Sequence, residues 1–293
     1  MKMKWFGIIL TFLGISCQSQ PPLEKAANNN TLLWEISGKG LKIPSYFFGT
    51  MHMLCPEDAK LSATMQQVIN RVKELYFEVD MDDMVQMFGS LKAMNMKDGT
   101  RLQQLLTPEE YARVKKYFEA KTPLPFSMME NYKPMLLSAL IEEQALPCKA
   151  TNGMEMVILE ESNKHNLQVK GLETMAFQAG LFDSIPYKEQ AEELVKAIDS
   201  AHVQKGSVDS LMQTYRAQDL SMIDKLTNSG QGEEGKYLDL LLFKRNRNWV
   251  EQFDTIAPRG PILFAVGAGH LPGDKGVLEL LRKKGYTVTP LKN

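Results

Sequence analysis

Four side chains that can exchange protons or hold a cation fall at one kind of place in this 293-residue chain. His52 follows the strand-like run Ser45-Tyr46-Phe47-Phe48, and His270 follows Ile262-Leu263-Phe264-Ala265-Val266, each after a glycine. Glu78 lies near the end of Leu75-Tyr76-Phe77-Glu78-Val79, and Glu173 ends Leu167-Gln168-Val169-Lys170-Gly171-Leu172. The chain has four histidines, and these two share the frame Gly-x-x-His, Gly49 to His52 and Gly267 to His270. A glycine there lets the backbone turn and leaves room beside a ligand. Two imidazoles and a carboxylate can hold a divalent metal with positions left open. Such a metal makes water a nucleophile near neutral pH. Without metal, one histidine could serve as general base, oriented by Glu78. A lone histidine at such a position more often caps a loop; the matching pair of frames is what points to a site.

Other candidates rank below these. Arg245 and Trp249 stand four apart on a helical stretch, 237–253, and share a face. Arg245 could bind a substrate carboxylate or stabilise an anionic transition state. The alternative is a salt bridge to the acids of the sheet. Glu173 is a candidate because it sits at a strand end. Asp80 and Asp82 read as a solvated loop end, His165 as an exposed helix C-terminus and His202 as surface. A thiol nucleophile at Cys55 is conceivable, but a paired cysteine suits an exported chain better. There is no His-Glu-x-x-His, Gly-x-Ser-x-Gly or phosphate-loop pattern. The common zinc-peptidase, serine-hydrolase and nucleotide readings therefore lack support.

The elements that must position these residues can be read from periodicity. Strands at 32–36 and 45–48, joined by Ser37-Gly38-Lys39-Gly40, form a hairpin. A helix at 62–73 carries Met65, Val68, Ile69 and Val72 on one face. Residues 83–161 are nearly all helical, with a capped start at Thr107-Pro108-Glu109-Glu110 and a break at Pro123 and Pro125. Residues 186–253 are helical again, with a polar break at 228–235. A short helix at 276–284 precedes a last strand at 286–291. Four of the strands are apolar runs, which suits a sheet covered by helices on both faces. The expected fold class is α/β: a mixed central sheet covered by helices, with a large helical lobe between the N- and C-terminal sheet-forming segments. Ligands in such sheets bind beyond the carboxyl ends of the strands. Neighbouring parallel strands put those ends about 5 Å apart. The His52 and His270 strands must then lie close together, with the Glu78 strand beside them.

Composition bounds the class. With 34 basic and 35 acidic side chains the formal net charge is −1, so the positive excess of a nucleic-acid binder is missing. The 44% hydrophobic and 24% charged content is that of an ordinary globular domain, and the 18 methionines suit gap-filling in a core. Lys2 and Lys4 precede an apolar run from Trp5 to Ile15, too short to span a membrane. Residues 1–16 read as a signal peptide, 17–30 as a tether and 31–293 as one domain. Leu13-Gly14-Ile15-Ser16-Cys17 resembles a lipoprotein box, with its leucine one place early, so Cys17 is expected to carry lipid. The chain is thus expected to face the periplasm as a membrane-anchored lipoprotein, with a soluble periplasmic protein as the alternative. In that oxidising compartment Cys55 and Cys148 are expected to pair.

Five short segments carry a family resemblance: Phe48-Gly49-Thr50-Met51-His52, Tyr76-Phe77-Glu78-Val79-Asp80, Gly171-Leu172-Glu173-Thr174, Arg245-Asn246-x-x-Trp249, and Val266-Gly267-Ala268-Gly269-His270-Leu271-Pro272-Gly273. Each alone is short; together and in this order the chain resembles the TraB/GumN/Tiki family over residues 32–292. The resemblance implies a core with paired Gly-x-x-His motifs and a strand carboxylate at its site. Its Tiki branch implies metal-dependent peptide cleavage with manganese or cobalt, carried onto this chain as His52, Glu78 and His270. Relatives by fold include erythromycin esterases and a haem-binding lipoprotein. The alternative is therefore a non-catalytic envelope protein that binds haem or another small ligand. The expected partners are a peptide or small-molecule substrate and the membrane, not nucleic acid.

Lipid attachment is directly measurable. Labelled fatty acid should enter the wild-type protein and be absent from Cys17→Ala; a mature chain that starts beyond residue 17 ends the lipoprotein reading.

Overall fold

The apolar runs become β1 (Leu33–Ser37), β2 (Ser45–Thr50), β3 (Glu74–Val79), β4 (Gln168–Glu173), β5 (Ile262–Gly267) and β6 (Thr287–Pro290). They join in one sheet in the order β4-β3-β5-β2-β1-β6. The structure is a computed structural model that describes residues 22–85, 89, 91–148, 153–228 and 236–293, without the side chains of 202–205. β1 and β2 form the expected antiparallel hairpin, Leu33 opposite Phe48. β2, β5, β3 and β4 run parallel, and β6 closes the far edge antiparallel to β1. The fold is the expected α/β class with a mixed sheet. β5 lies between β2 and β3, so three site-bearing strands are immediate neighbours. Four C-terminal ends share one edge.

Aromatic stacking fixes the register. Phe47 and Tyr76 both stand opposite Phe264, with ring centroids 4.8 and 5.4 Å away. Such pairs contribute about 0.5–1.5 kcal/mol each beyond area burial. A slip of one residue would turn every side chain to the other face. The ladder thereby sets how far Glu78, His52 and His270 stand beyond their strands.

The helices that matter for the site are α1 (Ala63–Ile69), α2 (Pro108–Lys121), α3 (Pro134–Gln144), α4 (Met154–Lys164), α5 (Met175–Leu181), α6 (Tyr187–Asp199), α7 (Lys244–Ile256) and α8 (Val277–Lys283). α1 buries Met65, Val68 and Ile69 behind a Ser62 cap. α2 starts with the expected capping box, Thr107 with Glu110, and Pro108 in its first turn. Phe118 of α2, Leu137 and Ile141 of α3 and Leu194 of α6 share a second core, that of the helical lobe. α4 does not belong to the lobe: Met154 and Ile158 pack into the core of the sheet. The helical stretch read at 83–161 therefore serves two bodies, because its last helix has an apolar face that only the sheet covers.

Part of the segment 17–30, expected as a tether, lies along the sheet. Ala26 N–H donates to the Pro290 carbonyl at 3.0 Å, and Lys292 N–H donates to the Glu24 carbonyl at 2.9 Å. The free edge of β6 offers backbone groups that this segment satisfies. Residues 1–16 and Cys17 lie outside the described residues. Among the described residues no helix is long and apolar enough to cross a membrane.

Cys55 and Cys148 are joined, with Cα atoms 5.7 Å apart. Met51, Met53, Leu146 and Met212 pack around the bridge, which ties the loop after β2 to the segment after α3. The bridge closes a loop with a sequence separation of 93. Cys55→Ala with Cys148→Ala should therefore lower unfolding free energy by about 4–5 kcal/mol in the chain-entropy limit. Urea unfolding reads this directly, and a loss under about 1 kcal/mol shows that the bridge constrains little.

Candidate functional site

Residues four apart on a helix share a face, and α7 uses one such stripe at three levels. Phe253 lies on the aromatic ladder, 5.3 Å from the Phe264 ring. Trp249 packs on the imidazole of His270 at 4.4 Å. Arg245, 4.8 Å over the Trp249 ring, reaches the acids at the sheet edge. A π-helical turn, Asp239–Phe243, leads directly into α7, and the Leu241 carbonyl accepts from Arg245 Nη1 at 3.0 Å. Such turns shift helix register locally.

Arg245 joins Glu78 and Glu173. Its Nη2 donates to Glu78 Oε2 at 2.5 Å, and its Nε donates to the two oxygens of Glu173 at 3.2 and 3.0 Å. Gln178 on α5 donates to both carboxylates at 3.1 Å. The Gly267 amide donates to Glu78 Oε1 at 2.8 Å. Glu78 Oε2 thus holds two donors and Oε1 holds one, which leaves a lone pair of Oε1 open. Burial by itself raises a carboxyl pKa, but the Arg245 guanidinium and the Gly267 amide outweigh it and hold Glu78 below the usual carboxylate range.

His270 sits on a short turn, Ala268–His270, past β5. Its Nδ1 is 2.5 Å from Asn246 Oδ1, and the Asn246 amide donates to the Lys275 carbonyl at 2.9 Å. That orients the Asn246 oxygen toward the ring and places the histidine proton on Nδ1. Nε2 then presents its lone pair 3.6 Å from Glu78 Oε1, with Arg245 Nη1 at 3.3 Å. Burial brings His270 down to about 4, so the ring is neutral at pH 7. With the proton on Nδ1, Nε2 is an acceptor that has Arg245 Nη1 at 3.3 Å and the Glu78 carboxylate at 3.6 Å.

The glycines of the two frames act through space, not through a sharp turn, since neither has a left-handed φ. A Cβ on Gly267 would lie 3.2 Å from Glu78 Oε1, and one on Gly49 would lie 2.9 Å from Leu271 Cδ1 and 3.1 Å from Ala268 Cα. β2 is therefore pressed against the turn that carries His270.

His52 stands apart. Its ion pair is with Glu155 rather than Glu78: Nδ1 lies 2.7 Å from Glu155 Oε1, with 72% of the His52 side chain exposed against 7% for Glu155. The contact with that carboxylate raises His52 to about 9. His52 is still near enough that its charge acts on Glu78 and His270. Glu78, Glu173, Arg245 and His270 thus form one contact group, with His52 beside it. Among the described residues, the three-donor group drawn within 4.8 Å is Cys55, Glu57 and Asp58, and its sulfur is spent in the disulfide. Of the three expected ligands, His270 and Glu78 lie 3.6 Å apart, and His52 pairs through Nδ1 with Glu155.

Of the two readings of Arg245, the salt bridge to the acids of the sheet is present. Asp80 Oδ1 accepts from the Asp82 amide. His165 ends α4 and pairs with Glu161 at 3.4 Å. The His202 side chain lies outside the described residues. Three contact residues had no role in the sequence reading: Glu155, Gln178 and Asn246. Asn246 stands inside a motif quoted above, but its partner is invisible there. Glu155 looks like an ordinary acid in the first turn of a helix.

A sequence model of the TraB/PrgY/gumN family matches residues 32–290. Metalloprotease TIKI2 of Danio rerio is 22% identical, covering 88% of this chain and 60% of its own length. Metalloprotease TIKI1 of Homo sapiens is 22% identical over 93% of this chain and 64% of its own length. Metalloprotease TIKI homolog of Nematostella vectensis is 22% identical over 90% of this chain and 68% of its own length. The chain thus spans less than two thirds of the length of the first two. No solved structure matches it significantly.

The contact group makes a stability prediction. Arg245→Ala leaves two buried carboxylates unpaired and should cost about 3–5 kcal/mol in urea unfolding. Adding Glu173→Gln should recover part of that loss. A cost under about 1 kcal/mol shows that the carboxylates are held by something else.

Proposed function

Because the chain belongs to the TraB/PrgY/gumN family, we propose that it is a metal-dependent hydrolase directed at peptide bonds. The observation that carries this reading is the pair of acceptor atoms His270 Nε2 and Glu78 Oε1, 3.6 Å apart at the C-terminal ends of the parallel strands. Two acceptors this close suit a cation, which at Nε2 would take the place of the Arg245 Nη1 contact. The donor types fit: imidazole and carboxylate suit manganese, cobalt or zinc, and manganese or cobalt is the choice by family resemblance. His270 and Glu78 would hold the ion, with His52 completing the set from the rim. Bound there, it would act as a Lewis acid on a scissile carbonyl and on water.

The chain's own residues prepare this state. Asn246 fixes the tautomer of His270, the kind of outer contact that orients a metal-binding histidine. Trp249 covers the ring and is fully buried, which keeps water from one side. Arg245 occupies the far oxygen of Glu78 and leaves Oε1 toward His270. Two carboxylates against one guanidinium leave a formal charge of −1 in this group, favourable for a cation. The names of these relatives, metalloproteases, support a peptide as substrate. Export with a lipid on Cys17 completes the reading, supported by the N-terminal pattern and by a disulfide of the kind oxidising compartments preserve.

Peptide-library cleavage by the purified chain, with manganese, cobalt or zinc added after chelation, tests this. His270→Ala and Glu78→Gln should each lower cleavage about 100-fold or more while far-UV circular dichroism stays unchanged. Metal binding without cleavage of any peptide would replace the hydrolase by a binding protein.

A further inference from the structure

We propose that Glu155 is the positioning residue of His52: its buried carboxylate holds the Nδ1 side of the ring and leaves Nε2 as the nitrogen presented to the site. The inference rests on the role proposed for His52 above. Glu155 is 5% exposed, while its partner lies mostly in solvent. Apart from His52, neither carboxylate oxygen has a hydrogen-bond partner among the described residues. A buried carboxylate with a single partner costs stability, so packing alone does not account for a glutamate here.

The backbone around it is built to bring the two together. A Cβ on Gly153 would lie 2.6 Å from the His52 carbonyl and 2.9 Å from Glu155 Oε2, so α4 can begin against His52 only with glycine at that place. Met154 N–H donates to the Met51 carbonyl at 3.0 Å, which locks the start of α4 to the residue before His52. Three residues past His52, Cys55 binds Cys148, just upstream of the same helix. The loop that carries His52 is thus clasped on both sides by the segment that delivers Glu155. Glu155 also lies in the first turn of α4, where the helix dipole favours a carboxylate. With Nδ1 engaged, the ring is held as His270 is, but by a charge in place of an amide.

Glu155→Ala and Glu155→Gln decide the matter through three readouts. Nitrogen-15 shifts of the His52 ring in metal-free protein, assigned against His52→Ala, should move in Glu155→Ala. Manganese affinity by equilibrium dialysis should fall about 10–100-fold in Glu155→Ala and less in Glu155→Gln, which keeps an acceptor for Nδ1–H. The melting temperature should hold or rise, because a buried carboxylate is removed. A carboxylate that serves only the fold would instead lower the melting temperature and leave affinity unchanged. Unchanged ring shifts, or unchanged affinity where the wild type binds manganese, overturn the proposal. A wild type that binds no metal sinks the metal reading alone, and the ring shifts then decide the role of Glu155.

Discussion

One guanidinium between two carboxylates is the constraint on which this structure turns. Glu78 and Glu173 end adjacent strands, with Val79 opposite Glu173, and both carboxylates are largely buried. Side by side in a dry environment they repel strongly. Arg245 resolves this by binding both, and to do so α7 must lie in one orientation across the sheet. The same stripe that places Arg245 also places Trp249 against His270 and Phe253 on the aromatic ladder. Charge neutralisation at the edge and aromatic packing in the core therefore demand the same pose of one helix. Neither could shift without the other.

A consequence follows for Glu78. Arg245 and Gln178 fill Oε2, and the Gly267 amide takes one lone pair of Oε1. What remains open faces His270. The carboxylate is held by so many donors that it cannot rotate away, and burial keeps the facing imidazole neutral. The stabilising contacts of the fold and the preparation of the site are one set of hydrogen bonds.

Much of this was legible in the sequence, and the boundary has a physical meaning. Strand-end placement of His52, Glu78, Glu173 and His270 follows from local apolar runs, which the ladder of Phe47, Phe264 and Tyr76 then aligns. The four-residue spacing of Arg245 and Trp249 is local too. The partnership of Glu155 with His52 was not legible, because it joins segments far apart in the chain through a helix start that only tertiary packing brings near. The same holds for Gln178, one turn into α5, and for the oxygen of Asn246 on His270. The reason for the glycines was also out of reach: sequence suggests turn geometry, while the structure uses the missing Cβ for contact between strand ends.

The two Gly-x-x-His frames look equivalent in sequence and are not equivalent in the fold. His270 is enclosed by Trp249, Asn246 and Arg245, and desolvation lowers its pKa. His52 lies in solvent against a carboxylate, which secures its proton. A shared local frame fixes where each imidazole leaves its strand; the neighbours decide which charge it carries. Since 72% of the His52 side chain is exposed against 8% for His270, solvent meets the site on the His52 side. The His270–Glu78 pair is then the rigid, preformed half of the proposed metal site, and His52 is the half that faces whatever enters. Rigidity is concentrated where α7 and the sheet already fix it. The side chain on the solvent side is held by a single contact, at Nδ1.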